Sequence, residues 1–155
     1  MRNIAILVGL TIVLTSTAAI AGIKDKKSMG ESEKTIATAT ADAKKACGNP
    51  TLESKIDWSS WDKYDYKKLG KNKADILRFT GGLAKSVLES LADLCKDADY
   101  KAEVAKITKL SFSGKDDPSE QYVAFALDGS TLNIKLNGDG VGSWKNADLL
   151  KAVWE

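Results

Sequence analysis

The chain predicts an α+β domain in which a disulfide-linked helical N-terminal half packs on a three-stranded antiparallel β-meander, with a short C-terminal helix. Three observations predict it. Apolar residues recur at helical spacing as far as Cys95 and then alternate with polar ones from Thr108 to Leu136, so the period changes from 3.6 to 2 along the chain. The two cysteines, Cys47 and Cys95, fall on the apolar sides of two separate helical stretches. A secretory signal precedes both, which places them in a compartment where disulfides form.

The signal covers residues 1–21. Arg2 is followed by an apolar run from Ile4 to Leu14 and by Ala19-Ile20-Ala21 before Gly22, the A-x-A layout of a cleavage site. The apolar run is about half of the roughly 20 residues that span a bilayer, and no second run follows. The expected mature protein is therefore exported and soluble, periplasmic or extracellular, without stable membrane insertion. Cleavage removes Arg2 alone among the charged residues and lowers the formal charge of +2 by one, too little for steering to nucleic acid. Gly22 to Gly30 shows no periodicity and reads as a flexible leader over 22–30. Residues 31–155 are then a single globular domain of ordinary size.

Ser28 and Glu31 stand at capping-box spacing before a first helix from Met29 to Ala46, which Gly48-Asn49-Pro50 stops. Its Ile36, Thr40, Ala43 and Cys47 share one side, small enough for a neighbour to approach closely. A second helix runs from Lys73 to Cys95 with Asn72 as its cap; Ile76, Leu83, Val87, Leu91 and Leu94 form a stripe that Leu77, Ala84, Leu88 and Cys95 widen. Gly81-Gly82 interrupts that helix at a cost of about 2 kcal/mol against two alanines. A kink, a close helix contact or a ligand at the backbone has to offset it.

A short helix capped by Asp97 or Asp99 follows and ends at Lys106. Three alternating runs come next: Thr108, Leu110 and Phe112; Val123, Phe125 and Leu127; Leu132, Ile134 and Leu136. Gly114 to Ser119 supplies the first turn and Asp128-Gly129 the hairpin between the second and third runs. The apolar members are expected to share one buried face, leaving Lys109, Ser111, Tyr122, Ala124, Ala126, Asn133 and Lys135 on the other. Gly138 to Gly142 then leads to Ser143, the expected cap of a helix bearing Trp144, Leu150, Val153 and Trp154.

The chemistry available is narrow. Histidine is absent, which excludes Ser-His-Asp and Cys-His sites and removes the commonest metal ligand. Asn137-Gly138-Asp139-Gly140 lacks the alternating ligands and distal glutamate of a calcium loop, so no metal is expected there. Gly81 to Ser86 lacks the glycine before the lysine that a phosphate loop requires, and no cofactor is expected. Ser60-Trp61-Asp62-Lys63 has the S-x-x-K spacing of serine acyltransferases without the companion motifs, and Asp62 with Asp65 makes a carboxylate pair whose geometry sequence does not establish. These residues define one alternative, a histidine-independent hydrolase. A structural or stress-related envelope protein without a discrete ligand is another.

The leading expectation is a small exported, non-enzymatic binding or inhibitory protein acting through surface contact with a protein or an envelope polymer. Its candidate site is Trp58, Trp61, Tyr64 and Tyr66, which place two of four tryptophans and two of four tyrosines in nine residues. Aromatic side chains anchor interfaces and also seal the edges of small cores, and the segment suits both roles. Lys67, Lys68, Lys71 and Lys73 follow and would set salt dependence. If the aromatics face inward, the outer sheet face around Tyr122 and Asn133 is the next surface to consider.

Overall fold

A computed structural model describes residues 16–138 and 142–155, with side chains from Gly22 onward. The apolar run of the expected signal, Ile4 to Leu14, and residues 139–141 of the loop before the C-terminal helix lie outside the described residues. The elements are α1 (Ser16–Cys47), β1 (Glu53–Ile56), a 3-10 turn at Trp58–Trp61, α2 (Lys73–Leu94), α3 (Ala98–Val104), β2 (Lys109–Gly114), β3 (Ala124–Asp128), β4 (Thr131–Leu136), a second 3-10 turn at Ser143–Lys145 and α4 (Asn146–Lys151).

Helix α1 is already formed at Ser16, the first described residue, and does not wait for Met29, so Ser28 lies inside it and the stretch read as a flexible leader forms helical turns. Tertiary contact supplies what local pattern lacks there. Met29 packs against the core, and Asp25 lies 3.9 Å from the Lys73 ammonium at the start of α2. The helix stops where expected, at Gly48 with φ +63. Asn72 caps α2 by accepting from the Asp75 N–H at 2.8 Å, and Asp97 caps α3. Ser143 caps nothing: it opens the second 3-10 turn, and α4 follows without a side-chain cap.

Cys47 and Cys95 form a disulfide with Cα atoms 5.0 Å apart, joining the ends of α1 and α2. The two helices pack along each other and cross closely at Ser32 and Gly81, so one of the paired glycines serves a helix contact. Ile36, Thr40, Ala43 and Cys47 are all buried, as is the α2 stripe apart from half-buried Leu83.

The sheet departs from the expected meander. Among the described residues it has four strands in the order β1-β2-β4-β3, with β1 parallel to β2, β2 parallel to β4, and β3 antiparallel to β4. The hairpin at Asp128-Gly129 forms, but β4 lies between β2 and β3. Burial explains the order: Leu132, Ile134 and Leu136 of β4 are fully buried, as are Leu110 and Phe112 of β2, whereas Phe125 of β3 is half-buried and Leu127 exposed. The strands with the most apolar inner faces occupy the centre. Strand β1 was not expected, because Glu53-Ser54-Lys55-Ile56 carries one apolar residue and no alternation. It enters parallel to β2 through the α2 and α3 crossover. Helices cover the inner face of the sheet, and the core lies between them and that face.

Candidate functional site

Asp57 follows β1 and caps the 3-10 turn, its carboxylate accepting from the Ser59 N–H at 3.1 Å and the Ser59 hydroxyl at 2.6 Å. That turn carries the aromatic segment inward. Trp61 is fully buried against the end of β2, where a Cβ on Gly114 would come within 3.2 Å of its ring and 2.5 Å of Tyr64 Oη. Tyr64 is buried and donates to the Lys115 carbonyl at 2.7 Å. Tyr66 is half-buried and donates to the Trp61 carbonyl at 2.6 Å. Burial first, and then nearby negative groups, push both phenols up, Tyr66 to about 12. Neither ionises at physiological pH.

Expecting Trp61 and Tyr64 as contact residues is therefore corrected: they seal the core where β2 meets the loop after β1. Trp58 differs. It is half-buried, tilts against Trp61 at 5.5 Å between ring centroids, and donates from Nε1 to Glu33 of α1 at 2.7 Å.

The residues of the hydrolase alternative are engaged elsewhere. The Ser60 hydroxyl donates to the Asp57 carbonyl at 2.6 Å and accepts from the Gly114 N–H at 2.7 Å. Lys63 pairs with Asp116, which also takes Lys135 at 3.0 Å. Asp62 pairs with Lys73 at 2.7 Å, while Asp65 accepts from the Lys68 N–H at 3.0 Å. The Ser60 and Lys63 side chains thus point to separate partners, and the two aspartates lie in separate local networks. Among the described residues no group of three or more potential ligands could hold a metal ion.

An open groove lies where Trp58 meets α1. It runs between β1 and the flank of α1, has a volume of about 530 Å³, and is bordered by Glu33, Ala37, Thr40, Ala41 and Lys44 on one side and Glu53 to Ile56 on the other. That volume is within the range of ligand-sized clefts, about 300–1,000 Å³. Its width comes from small side chains: Ala37 and Ala41 are exposed, and Thr40 and Ser54 join the two walls by a 2.6 Å hydrogen bond between hydroxyls.

Main-chain geometry makes this groove specific. The N–H groups of Glu53 and Asp57 donate to the Thr108 and Phe112 carbonyls of the β2 side, each at 2.9 Å. Because alternate residues of a strand direct their N–H and C=O to opposite edges, Ser54 and Ile56 direct theirs away from β2 and into the groove. β1 is an edge strand, so no described strand takes those groups. Nothing in the side chains announces this feature, since it belongs to the backbone of a short strand and appears only once the sheet order is known.

Elsewhere, the outer sheet face presents Lys55, Ser111, Asn133 and Ala126 in one cross-strand row and Glu53, Lys109, Thr131 and Asp128 in the next, a mostly polar surface. Tyr122 is not part of it, because its ring packs edge-on against Trp144 at 6.4 Å. No described helix is long and apolar enough to cross a membrane. The chain matches no protein-family model, no curated protein and no solved structure.

Proposed function

We propose that this is an exported, non-enzymatic binding protein that acts through surface contact with a protein, taking an extended segment of its partner along the free edge of β1. The observation that carries the reading is the pair Ser54 and Ile56, whose main-chain groups open into a groove walled by α1. A strand laid there gains main-chain hydrogen bonds, and its alternate side chains reach the small residues of α1; this is how edge strands beside a helix recognise peptides. Trp58 holds Glu33, which lines the groove, by a hydrogen bond from its indole N–H. Export rests on the layout of residues 1–21 and agrees with the disulfide.

The test is selection of displayed random peptides on the oxidised protein, repeated with two variants. Ser54→Pro removes an N–H that β2 does not use, whereas Ser54→Ala keeps it and removes only the hydroxyl. Enriched peptides that bind the unaltered protein and Ser54→Ala but not Ser54→Pro support strand addition. Peptides indifferent to Ser54→Pro, or no enrichment, contradict it.

A further inference from the structure

We infer that the free edge of β1 is occupied, when no other strand is bound, by β1 of a second copy of this chain, the two strands running antiparallel about a two-fold axis at Ser54. The inference rests on the reading of that edge as the contact surface and assigns it a particular occupant.

Register decides between the possible pairings. Outward main-chain groups belong to Ser54 and Ile56, so two antiparallel β1 strands have three ways to pair. With Ser54 opposite Ser54, each copy exchanges both bonds with the other at that residue, and Glu53 of each copy stands directly across from Lys55 of the other. Both charged residues are exposed on the outer face of the sheet. With Ser54 opposite Ile56, Lys55 faces Lys55 and Glu53 faces Asp57, which sets like charges together. With Ile56 opposite Ile56, Lys55 faces Asp57, which lies past the strand with its carboxylate already capping the 3-10 turn, and Ser54 meets Trp58 within that turn. Only the Ser54 register pairs opposite charges that both lie within the strand.

A lysine on an edge strand ordinarily discourages pairing. Here Glu53, two residues away, converts it into a complementary pattern that an antiparallel partner satisfies and a parallel in-register stack does not. The arrangement therefore closes at two copies instead of growing.

The flank of α1 agrees with this. The Thr40–Ser54 hydrogen bond places Thr40 beside the axis, with Glu33 before it and Lys44 after it along the helix. The two-fold puts Glu33 of one copy on the same side as Lys44 of the other. Between them the exposed Ala37 and Ala41 carry no long side chains to hold the two helices apart. A partner strand of the kind proposed above would compete with the second copy for the same edge.

Sedimentation velocity and native mass spectrometry of the oxidised protein at low ionic strength test the pairing. A monomer–dimer equilibrium is expected, with Glu53→Lys and Lys55→Glu each weakening it about tenfold, because two symmetry-related pairs turn from attraction to repulsion. An equimolar mixture of those two variants should form a heterodimer about as strong as the unaltered homodimer, since every facing pair is then opposite in sign. Ser54→Pro should be monomeric with an unchanged circular dichroism spectrum. A monomeric unaltered protein whose Ser54 amide is protected by a selected peptide overturns the pairing and leaves the edge reading standing. A dimer indifferent to both reversals overturns the pairing, and one that also survives Ser54→Pro shows that the edge is not the surface these copies use.

Discussion

Ser32 of α1 and Gly81 of α2 meet at the closest approach of the two long helices. The Ser32 hydroxyl accepts from the Gly81 N–H at 3.0 Å and donates to the Leu77 carbonyl at 2.6 Å, bridging two groups that face each other across one turn of α2. A Cβ at Gly81 would stand 2.7 Å from Ser32 Cα. Gly82, its neighbour, has nothing within 4 Å of the same construction. The helix crossing therefore needs one glycine of the pair, and no packing accounts for the other.

Opposite outcomes follow for the two positions. Gly81→Ala should lower stability by about 1–3 kcal/mol, because backbone on backbone leaves no flexible side chain to yield. Gly82→Ala should raise it by up to about 1 kcal/mol through helix propensity alone. Denaturant unfolding of both variants decides the matter, and equal effects would mean that the crossing is looser than described.

The disulfide spans 48 residues of sequence. On the chain-entropy account, removing it should cost about 4 kcal/mol of stability, a large part of what a domain has. Thermal unfolding with and without reductant should show a large fall in midpoint. Thiol titration of the denatured, unreduced protein should find no free thiol.

Phe112 and Phe125 stand on neighbouring faces of the same argument, the first fully buried in β2 and the second half-buried in the edge strand β3. Phe112→Ala should cost about 3–5 kcal/mol and Phe125→Ala roughly 1–2 kcal/mol. Trp61→Ala belongs with Phe112. Denaturant midpoints that ranked Phe125 above Phe112 would place β3 in the centre of the sheet, as the meander reading had it.

The elements with strong internal pattern were legible: the stripe and cap of α2, the pairing of Cys47 with Cys95, the inner faces of β2 and β4, and the Asp128-Gly129 hairpin. What was not legible depended on partners distant in sequence. β1 has a single apolar residue and exists because β2 pairs with it, and the turns of α1 over 22–30 hold because Lys73 and the core meet Asp25 and Met29. The order of the strands followed from relative burial, which alternation alone does not rank. The segment from Trp58 to Tyr66 passes through a 3-10 turn and irregular chain, so no single period told which aromatics face inward. The groove was invisible for a different reason, since its main-chain groups carry no residue signature.

Asp116 bridges the loop after β2 to Lys63 and to Lys135 of β4. Hydrogen bonds from those two side chains, and then their charges, hold its carboxyl at about 2, below the ordinary 3.8. Because the folded-state value is depressed, the bridge is present above the ordinary value and is lost as pH falls through about 2. Carboxyl-carbon titration by nuclear magnetic resonance should give a midpoint near 2, moved upward by Lys63→Met or Lys135→Met. An ordinary midpoint in the unaltered protein would mean that the bridge does not hold in solution.

Residue-resolved amide exchange along β1 tests the central claim most directly. In dilute protein the amides of Glu53 and Asp57, bonded to the β2 side, should exchange slowly, and those of Ser54 and Ile56, directed into the groove, should exchange fast. Adding a selected peptide should slow Ser54 and Ile56, and raising the protein concentration should slow Ser54, with Glu53 and Asp57 unchanged in both cases. Ser54 and Ile56 amides that stay fast under both conditions would contradict the account, because the free edge of β1 would then receive no strand.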